Sequence, residues 1–455
     1  MSGWTEQSIA RSAGGSWIIR PDSGSIAFAG VSINSRELQS DQGFVAFVGV
    51  HTDGHRYLQH AADAGASFCI ITDPEAVPEG FTTPTLLVDD PLSSLTGLAR
   101  AWRDRLSACV IAITGSNGKT TTCRIMHAIA SKSGRSSVSM KSFNNALGVP
   151  ITILNTPLDA DYLIAEVGTS TPGEIAERTK LLRPDLCIIT SVGSAHLEAL
   201  GSLDGVAREK ADLIRRAPPE AVGVYHDGNE LLDSALHDDP HRCLVLGREQ
   251  RFEVTETTLG HTGFRIDEDR FNVIMPGEHS AFNAGLCVLA ARSLGLSDQH
   301  IRDGLGAVTP PPMRFERTSI ETATQPIVVI NDAYNANPDS MRASLRTFAG
   351  IDLPEPRVAV LAEMLELGQS ASSAHAELAE FAKTLPGIGR VIFLGGLYPE
   401  PDAESIKSLA DLIEPGQSVL LKGSRGVGLE RLIPLLRNKH GSNRSIRQEN
   451  PSGRA

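Results

Sequence analysis

The sequence predicts an α/β protein of three domains: a small α/β domain at the N-terminus, a central nucleotide-binding domain on a parallel sheet with a phosphate loop, and a C-terminal Rossmann-like domain. Three observations carry this. At 455 residues the chain is long enough for two to four domains, at about 100 to 200 residues each. Short apolar runs alternate with helix-like stretches along its length, the pattern of β-α-β units. A glycine-rich turn ending in Lys-Thr stands between an apolar run and an amphipathic stretch, as a phosphate loop requires.

In the first unit, residues 1–107, the runs SIAFAGV, GFVAFVG, SFCIITD and TLLVDD read as strands, and HRYLQHAADAGA and SSLTGLARAWRDRL as helices. The second unit, 108–308, opens with ACVIAIT. DYLIAEVG and DLCIITSVG follow, separated by the helical stretches that parallel connections need. Beyond about residue 220 the runs AVGVYHD, CLVLG, FEVTETT, GFRID and FNVIMPG are more polar and strand-like, and the small-residue helix HSAFNAGLCVLAARSLG completes this domain. Consecutive prolines in TPPPM, 309–313, stiffen a connection and start the third unit, 309–437. Its runs PIVVIND, RVAVLAEM, RVIFLGG and SVLLKGS alternate with helices and predict a parallel sheet. The polar tail 438–455 is expected to be disordered.

Bulk composition narrows the function. With 41% hydrophobic and 21% charged residues the chain is globular. A net charge of -12 excludes nucleic acid as the principal partner, because a polyanion needs a positive face, while leaving room for a local basic phosphate pocket. Six cysteines without C-x-x-C spacing read as reduced core residues. The first residues lack the charged-then-apolar order of a secretory signal, and no run approaches 18 apolar residues, so no membrane insertion and a cytoplasmic location are expected. Oligomeric state is not legible, and a monomer is compatible with the sequence.

The phosphate loop is Gly115-Ser116-Asn117-Gly118-Lys119-Thr120, followed by Thr121. Glycines let backbone N–H groups face phosphate oxygens, the helix N-terminus adds positive potential, Lys119 adds a charge, and the Thr120 hydroxyl can hold magnesium. Ile113 stands where the longer G-x-x-x-x-G-K-[ST] form has its first glycine, so this is the shorter variant. An ordinary strand-to-helix turn with an exposed lysine is the competing reading.

Glu166 closes one apolar run and His196 follows Gly193 at the end of another, which puts both at the strand ends where the loop opens. A carboxylate there suits magnesium, which takes oxygen ligands and shares them with phosphates. A helix-capping acid and a satisfied loop histidine are the competing readings. Lys210, in VAREKADLIRRA, sits among charges on a helix, and taken alone reads as a solvated surface lysine.

The stretches NSRELQSDQGFVAFVGVHTDGHRY, ITGSNGKTTT, FNNALGVP, PGEIAERTKLLRPD, VGSAHLEALGSLDGVAREKADL, NDAYNANPDSMRASL, LAEMLELG and LLKGSRGVGLERL resemble the Mur ligases, from about residue 32 to residue 432. NDAYNANPDSM and KGSR resemble the branch that joins D-alanyl-D-alanine to UDP-N-acetylmuramoyl-tripeptide. The resemblance implies an acyl-phosphate mechanism using ATP and Mg2+. It puts the UDP end on the N-terminal domain with Ser35 and Arg36, and the muramoyl peptide at Asn144 and Asn145. ATP falls to Gly115 through Thr121, with Asn283, Arg314, Asp332 and Asn335 reaching it across the domain gap. The catalytic set implied is Lys119, Glu166, His196 and Lys210: Lys119 on the β- and γ-phosphates, Thr120 and Glu166 on one magnesium, His196 and a carbamylated Lys210 on a second. The family often has His-Asn where this chain has His279-Ser280, and E-M-G-A where it has Glu166-Val167-Gly168-Thr169. A diamino-acid-adding relative or a folate polyglutamylating enzyme is the alternative within the superfamily, and NDAYNANP and KGSR speak against both. A nucleotide-binding relative without catalysis is the alternative outside it, against which stand Lys119, Glu166, His196 and Lys210 together.

Overall fold

In the computed structural model, which describes residues 4–22, 24–50, 52–140 and 143–441, three main sheets succeed one another along the chain and share no strand. The first has the order Ser16–Ile19, Thr85–Leu87, Phe68–Ile71, Gly43–Val45, Val31–Ser32, parallel except for its first strand. The run SIAFAGV is not one strand: Ser25–Ile26 pairs with Trp4–Thr5, and Val31–Ser32 joins the main sheet. Between them Gly30 has φ 120°, and an added Cβ there would meet the Asn155 side chain.

The central sheet has six parallel strands in the order Cys243–Leu246, Val222–His226, Leu186–Ile189, Cys109–Thr114, Tyr162–Glu166, Ser136–Val138. The chain leaves Cys109–Thr114 toward one edge and later returns to its other side, so this strand marks the point where strand order reverses. Open α/β sheets bind ligands in the crevice such a reversal creates. Register places Glu166 opposite Ile113 and Ile189 opposite Thr114, so both neighbouring strands end beside the phosphate loop. A three-stranded antiparallel sheet, Phe252–Thr257, Thr262–Ile266 and Asp269–Val273, packs on the helix Glu278–Ser293. That helix is apolar nearly all round and accordingly buried.

The C-terminal sheet, in the order Glu316–Ile320, Ile327–Asn331, Ser418–Lys422, Arg357–Ala362, Arg390–Leu394, is not wholly parallel. Glu316–Ile320 adds an antiparallel edge, and its largely exposed ERTSI sequence carries no apolar run that would announce it. The helix Leu432–His440 continues through Asn438, where the tail was expected to begin; the rest of the tail from residue 442 lies outside the described residues.

The two outer sheets attach to the centre differently. One apolar cluster runs from Trp4, Phe28 and Trp102 into Val110, Leu163 and Ile189, so the first and central units share a core. Asn155 adds a strand-like link, with its Nδ2 donating to Val31 O and its Oδ1 accepting from Val31 N. The C-terminal sheet keeps its own apolar clusters, joined from the central unit by Leu259. Interfaces this polar are the ones across which domains move. Among the described residues no helix is long and apolar enough to cross a membrane.

Candidate active site

The carboxyl ends of the central strands open into a cavity of about 740 Å3, bounded on its far side by loops and a helix of the C-terminal unit. Its floor is the phosphate loop. Gly115, at φ 152°, and Gly118, at φ 83°, turn the chain from the strand into the helix Lys119–Ala130. A side chain at either would collide, with the Thr190 hydroxyl at Gly115 and with the Asn283 amide at Gly118. Glycine is required there by both conformation and space. Ser116, Asn117, Gly118, Lys119, Thr120 and Thr121 line the cavity. Lys119 Nζ folds back to donate to Gly115 O at 2.7 Å. Burial lowers its pKa, Glu166 opposes that, and Arg314 adds to it.

Glu166 is 2% exposed on the cavity wall. Its Oε1 accepts from Asn144 Nδ2 at 2.7 Å, while its Oε2 is buried without a hydrogen-bond partner. The helix-cap reading fails, since Glu166 ends a strand. A buried carboxylate oxygen left unpaired is costly, and a cation facing it removes the cost. The Thr120 hydroxyl lines the same cavity, so the residues present fit a magnesium ion shared with phosphate oxygens. No group of three or more His, Cys, Asp or Glu side chains among the described residues could hold an ion alone.

His196 also lines the cavity, in the left-handed region at φ 55°, and its Nδ1 pairs with Glu366 Oε2 at 3.0 Å. Burial depresses its pKa, Glu366 works against this, and Lys119 and Lys210 work with it. Lys210 is not a surface lysine: it is 2% exposed on the helix Leu203–Arg215. Burial, helped by the charge of Lys119 and opposed by Glu209, takes its pKa down to about 7. It stands behind the cavity wall rather than on it. Its neighbour Glu209 braces that wall, accepting from Thr169 Oγ1, Gly173 N and Ile175 N.

Asn283, Arg314, Asp332 and Asn335 all line the cavity, as do Asn144 and Asn145. Arg314 crosses from the C-terminal side, donating through Nη2 to Thr120 Oγ1 at 3.0 Å while its guanidinium lies 4.3 Å from the Tyr334 ring centroid. Asn145 has a local task as well, since its Oδ1 accepts from Leu147 N and Gly148 N at the start of a helix. Ser35 and Arg36 are not brought to this cavity. Their neighbours Asn34 and Glu37 line a second one of about 810 Å3 between the first and central units, with Ser35 buried and Arg36 exposed beside it.

Sequence reasoning missed three site residues. Lys422, 4% exposed, pairs with Asp332 at 3.1 Å and donates to Asn335 O at 2.8 Å, which orients both. A lysine closing the apolar run SVLLK at a strand's carboxyl end was the available signal. Asn337 and Asp339, at the start of the helix Pro338–Gly350, reach Asn117 and Ser194. The motif NPDS marks a helix cap but carries no sign of its cross-domain contacts.

Residues 113–291 match the Mur ligase middle domain and residues 313–438 the Mur ligase glutamate ligase domain. The UDP-N-acetylmuramoyl-tripeptide–D-alanyl-D-alanine ligase of Bacillus subtilis is 29% identical, over 89% of this chain and 92% of that one. Its Synechocystis counterpart is 30% identical, over 89% and 91%. Among solved structures, MurF from Acinetobacter baumannii superimposes with a TM-score of 0.81 at 27% identity, covering 96% of this chain and 99% of that one. MurF ligase from Thermotoga maritima in complex with ADP gives 0.74 at 25% identity, covering 90% and 97%.

Proposed function

This chain belongs to the Mur ligase family, and from that premise we propose that it is an ATP-dependent amide-bond ligase joining D-alanyl-D-alanine to UDP-N-acetylmuramoyl-tripeptide in peptidoglycan precursor synthesis. The observation that carries the reading is one cavity in which the loop of Lys119 and Thr120, Glu166 with its unpaired Oε2, and His196 face Arg314 and Asp332 of the C-terminal unit. Two reactants and a nucleotide must meet in one water-poor place for an acyl phosphate to survive, and a cleft bounded by a second domain that can close over it supports that reading.

In the proposed reaction the terminal carboxylate of the tripeptide forms a bond to the γ-phosphorus of ATP as the bond to the β-phosphate oxygen breaks, releasing ADP. The dipeptide amine then attacks the acyl carbon, phosphate leaves, and the amine's extra proton passes to solvent. Lys119 swings from Gly115 O onto the β- and γ-phosphates, offsetting charge on the transferring oxygens. Thr120 and Glu166 would hold one magnesium ion, and His196 with Lys210 in its carbamylated form would support a second; such ions neutralise phosphate charge when bound. Burial suits Lys210 to carbamylation, because a pKa near 7 leaves much of the amine neutral, the form that adds carbon dioxide. Asn283 and the pair of Asp332 with Lys422 position the nucleoside, and Arg314 joins the two sides over the phosphates. Asn144 orients Glu166 and, with Asn145, faces the peptide end, while Ser35 and Arg36 take the UDP end. Three units, 1–107, 108–308 and 309–437, share this work in the cytoplasm, supported by three sheets that exchange no strand.

The test is turnover: the protein mixed with ATP, magnesium, UDP-muramoyl tripeptide and D-alanyl-D-alanine should release phosphate only when both peptides are present. Lys119→Ala should lower that rate by at least about a hundredfold. Near-normal turnover in this variant would remove the assignment of the loop.

A further inference from the structure

The C-terminal sheet meets the nucleotide loop through a few polar contacts, and they differ in how far water competes with them. The His196–Glu366 pair leaves the Glu366 side chain 64% exposed, a setting in which ion pairs contribute little. Asn337, by contrast, is 5% exposed. It exchanges two amide hydrogen bonds with Asn117, Nδ2 of Asn337 to Oδ1 of Asn117 at 2.7 Å and Nδ2 of Asn117 to Oδ1 of Asn337 at 3.3 Å.

Both partners are held from behind. The main chain of Asn117 is fixed inside the central unit, its N–H donating to Ser191 Oγ and its carbonyl accepting from the Thr190 and Ser191 hydroxyls. Asn337 caps the helix Pro338–Gly350, with Oδ1 accepting from Ser340 N and its own N–H donating to Ser340 Oγ. In the same helical turn Asp339 Oδ2 accepts from Ser194 N, just before His196, and fills the space a side chain at Gly193 would need. A rigid loop thus grips a rigid helix end.

We propose that the Asn117–Asn337 amide pair is a clasp that docks the C-terminal domain on the phosphate loop in the arrangement competent for acyl transfer, tying ATP consumption to amide formation. Both residues act by positioning. The inference rests on the reading that this loop holds ATP. Failure of that reading would show separately, as absence of ADP binding to the unaltered protein.

A double-mutant cycle on the full chain tests it, with Asn117→Ala, Asn337→Ser and the double variant. Serine caps a helix about as well as asparagine but is too short to reach Asn117, and Asn117→Ala leaves the cap untouched if Asn337→Ser weakens it. Amide formed, phosphate released and calorimetric ADP binding are the readouts. Asn337→Ser should lower kcat/KM for D-alanyl-D-alanine by roughly tenfold, the scale of two hydrogen bonds. In Asn337→Ser phosphate released per amide should rise above one, and its ADP affinity should stay within about threefold of the unaltered protein. The double variant should be no worse than the poorer single variant by more than about twofold. Multiplying effects in the double variant, unchanged turnover in Asn337→Ser, or an ADP affinity of Asn337→Ser falling as far as its turnover would each overturn the clasp.

Discussion

Replacing Glu166 by glutamine separates what this side chain does for the fold from what it does for the reaction. Its Oε1 is satisfied by Asn144, but Oε2 is shut away from water with no partner, on a residue 2% exposed. An unsatisfied buried polar group costs about 1 to 3 kcal/mol, and more when charged. Glutamine keeps the Asn144 bond but leaves an unpaired Nε2 where Oε2 was, and it removes the charge that favours the buried ammonium of Lys119. Relief of the unpaired carboxylate and loss of the Lys119 partner oppose each other, so Glu166→Gln should shift ligand-free stability by no more than about 1 kcal/mol, or about 2 to 4 °C in the melting midpoint for a domain of this size. Adding magnesium with ADP should separate the two proteins. A ligand present at a hundred times its Kd stabilises by about 2.7 kcal/mol, and the variant should forfeit most of the magnesium-dependent part. Calorimetric melting with and without magnesium and ADP reads both effects, and turnover should fall by at least about a hundredfold. A variant stabilised by magnesium and ADP as much as the parent would refute the reading of Oε2 as a metal-facing oxygen.

Other outcomes follow from the same contacts. Lys210→Ala should lose activity that small carboxylic acids partly restore; full activity without them would show that the buried amine has no part in turnover. His375, with 0% exposure, donates from Nδ1 to Ala371 O and accepts at Nε2 from Met364 N, holding the loop that carries Glu366. Burial lowers its pKa against the opposing pull of the Ala371 carbonyl and Glu363, so the native state keeps it neutral where the unfolded chain binds a proton. That contribution to stability is complete above about pH 6.5 and is lost as pH falls below it. Melting of His375→Gln between pH 5 and pH 8 should accordingly fall less steeply with acid than that of the unaltered protein, and parallel curves would exclude this histidine as the cause. Asn155→Leu leaves Val31 N and O unpaired at the junction of the first two units, and should destabilise by about 1 to 3 kcal/mol. Limited proteolysis should then release the first unit sooner.

The phosphate loop was legible because its geometry is local: two glycines, a lysine and a threonine between a strand and a helix require one another within a few residues. Glu166 and His196 were legible one step further out, since parallel strands put their carboxyl ends side by side. Lys210 was named only through the family resemblance, because the packing of the helix Leu203–Arg215 alone decides that its amine is buried, and a charged helix reads as solvated. Asn337 and Asp339 were hidden for a related reason: their partners Asn117 and Ser194 lie in loops of the central unit, and no spacing in the chain records that approach. The strand Glu316–Ile320 escaped notice as a half-exposed edge without the apolar run that marked the inner strands, whereas Ser16–Ile19 carries a short apolar run, Trp17-Ile18-Ile19, that was overlooked.

A panel of UDP-muramoyl tripeptides and dipeptides, scored for ADP formed in the presence of magnesium, tests the central claim most directly. ADP should accumulate when a UDP-muramoyl tripeptide and D-alanyl-D-alanine are both present, and should not when a free diamino acid replaces the dipeptide. ADP formation with a free amino acid acceptor but not with the dipeptide, or at the same rate with no acceptor at all, would contradict the assignment.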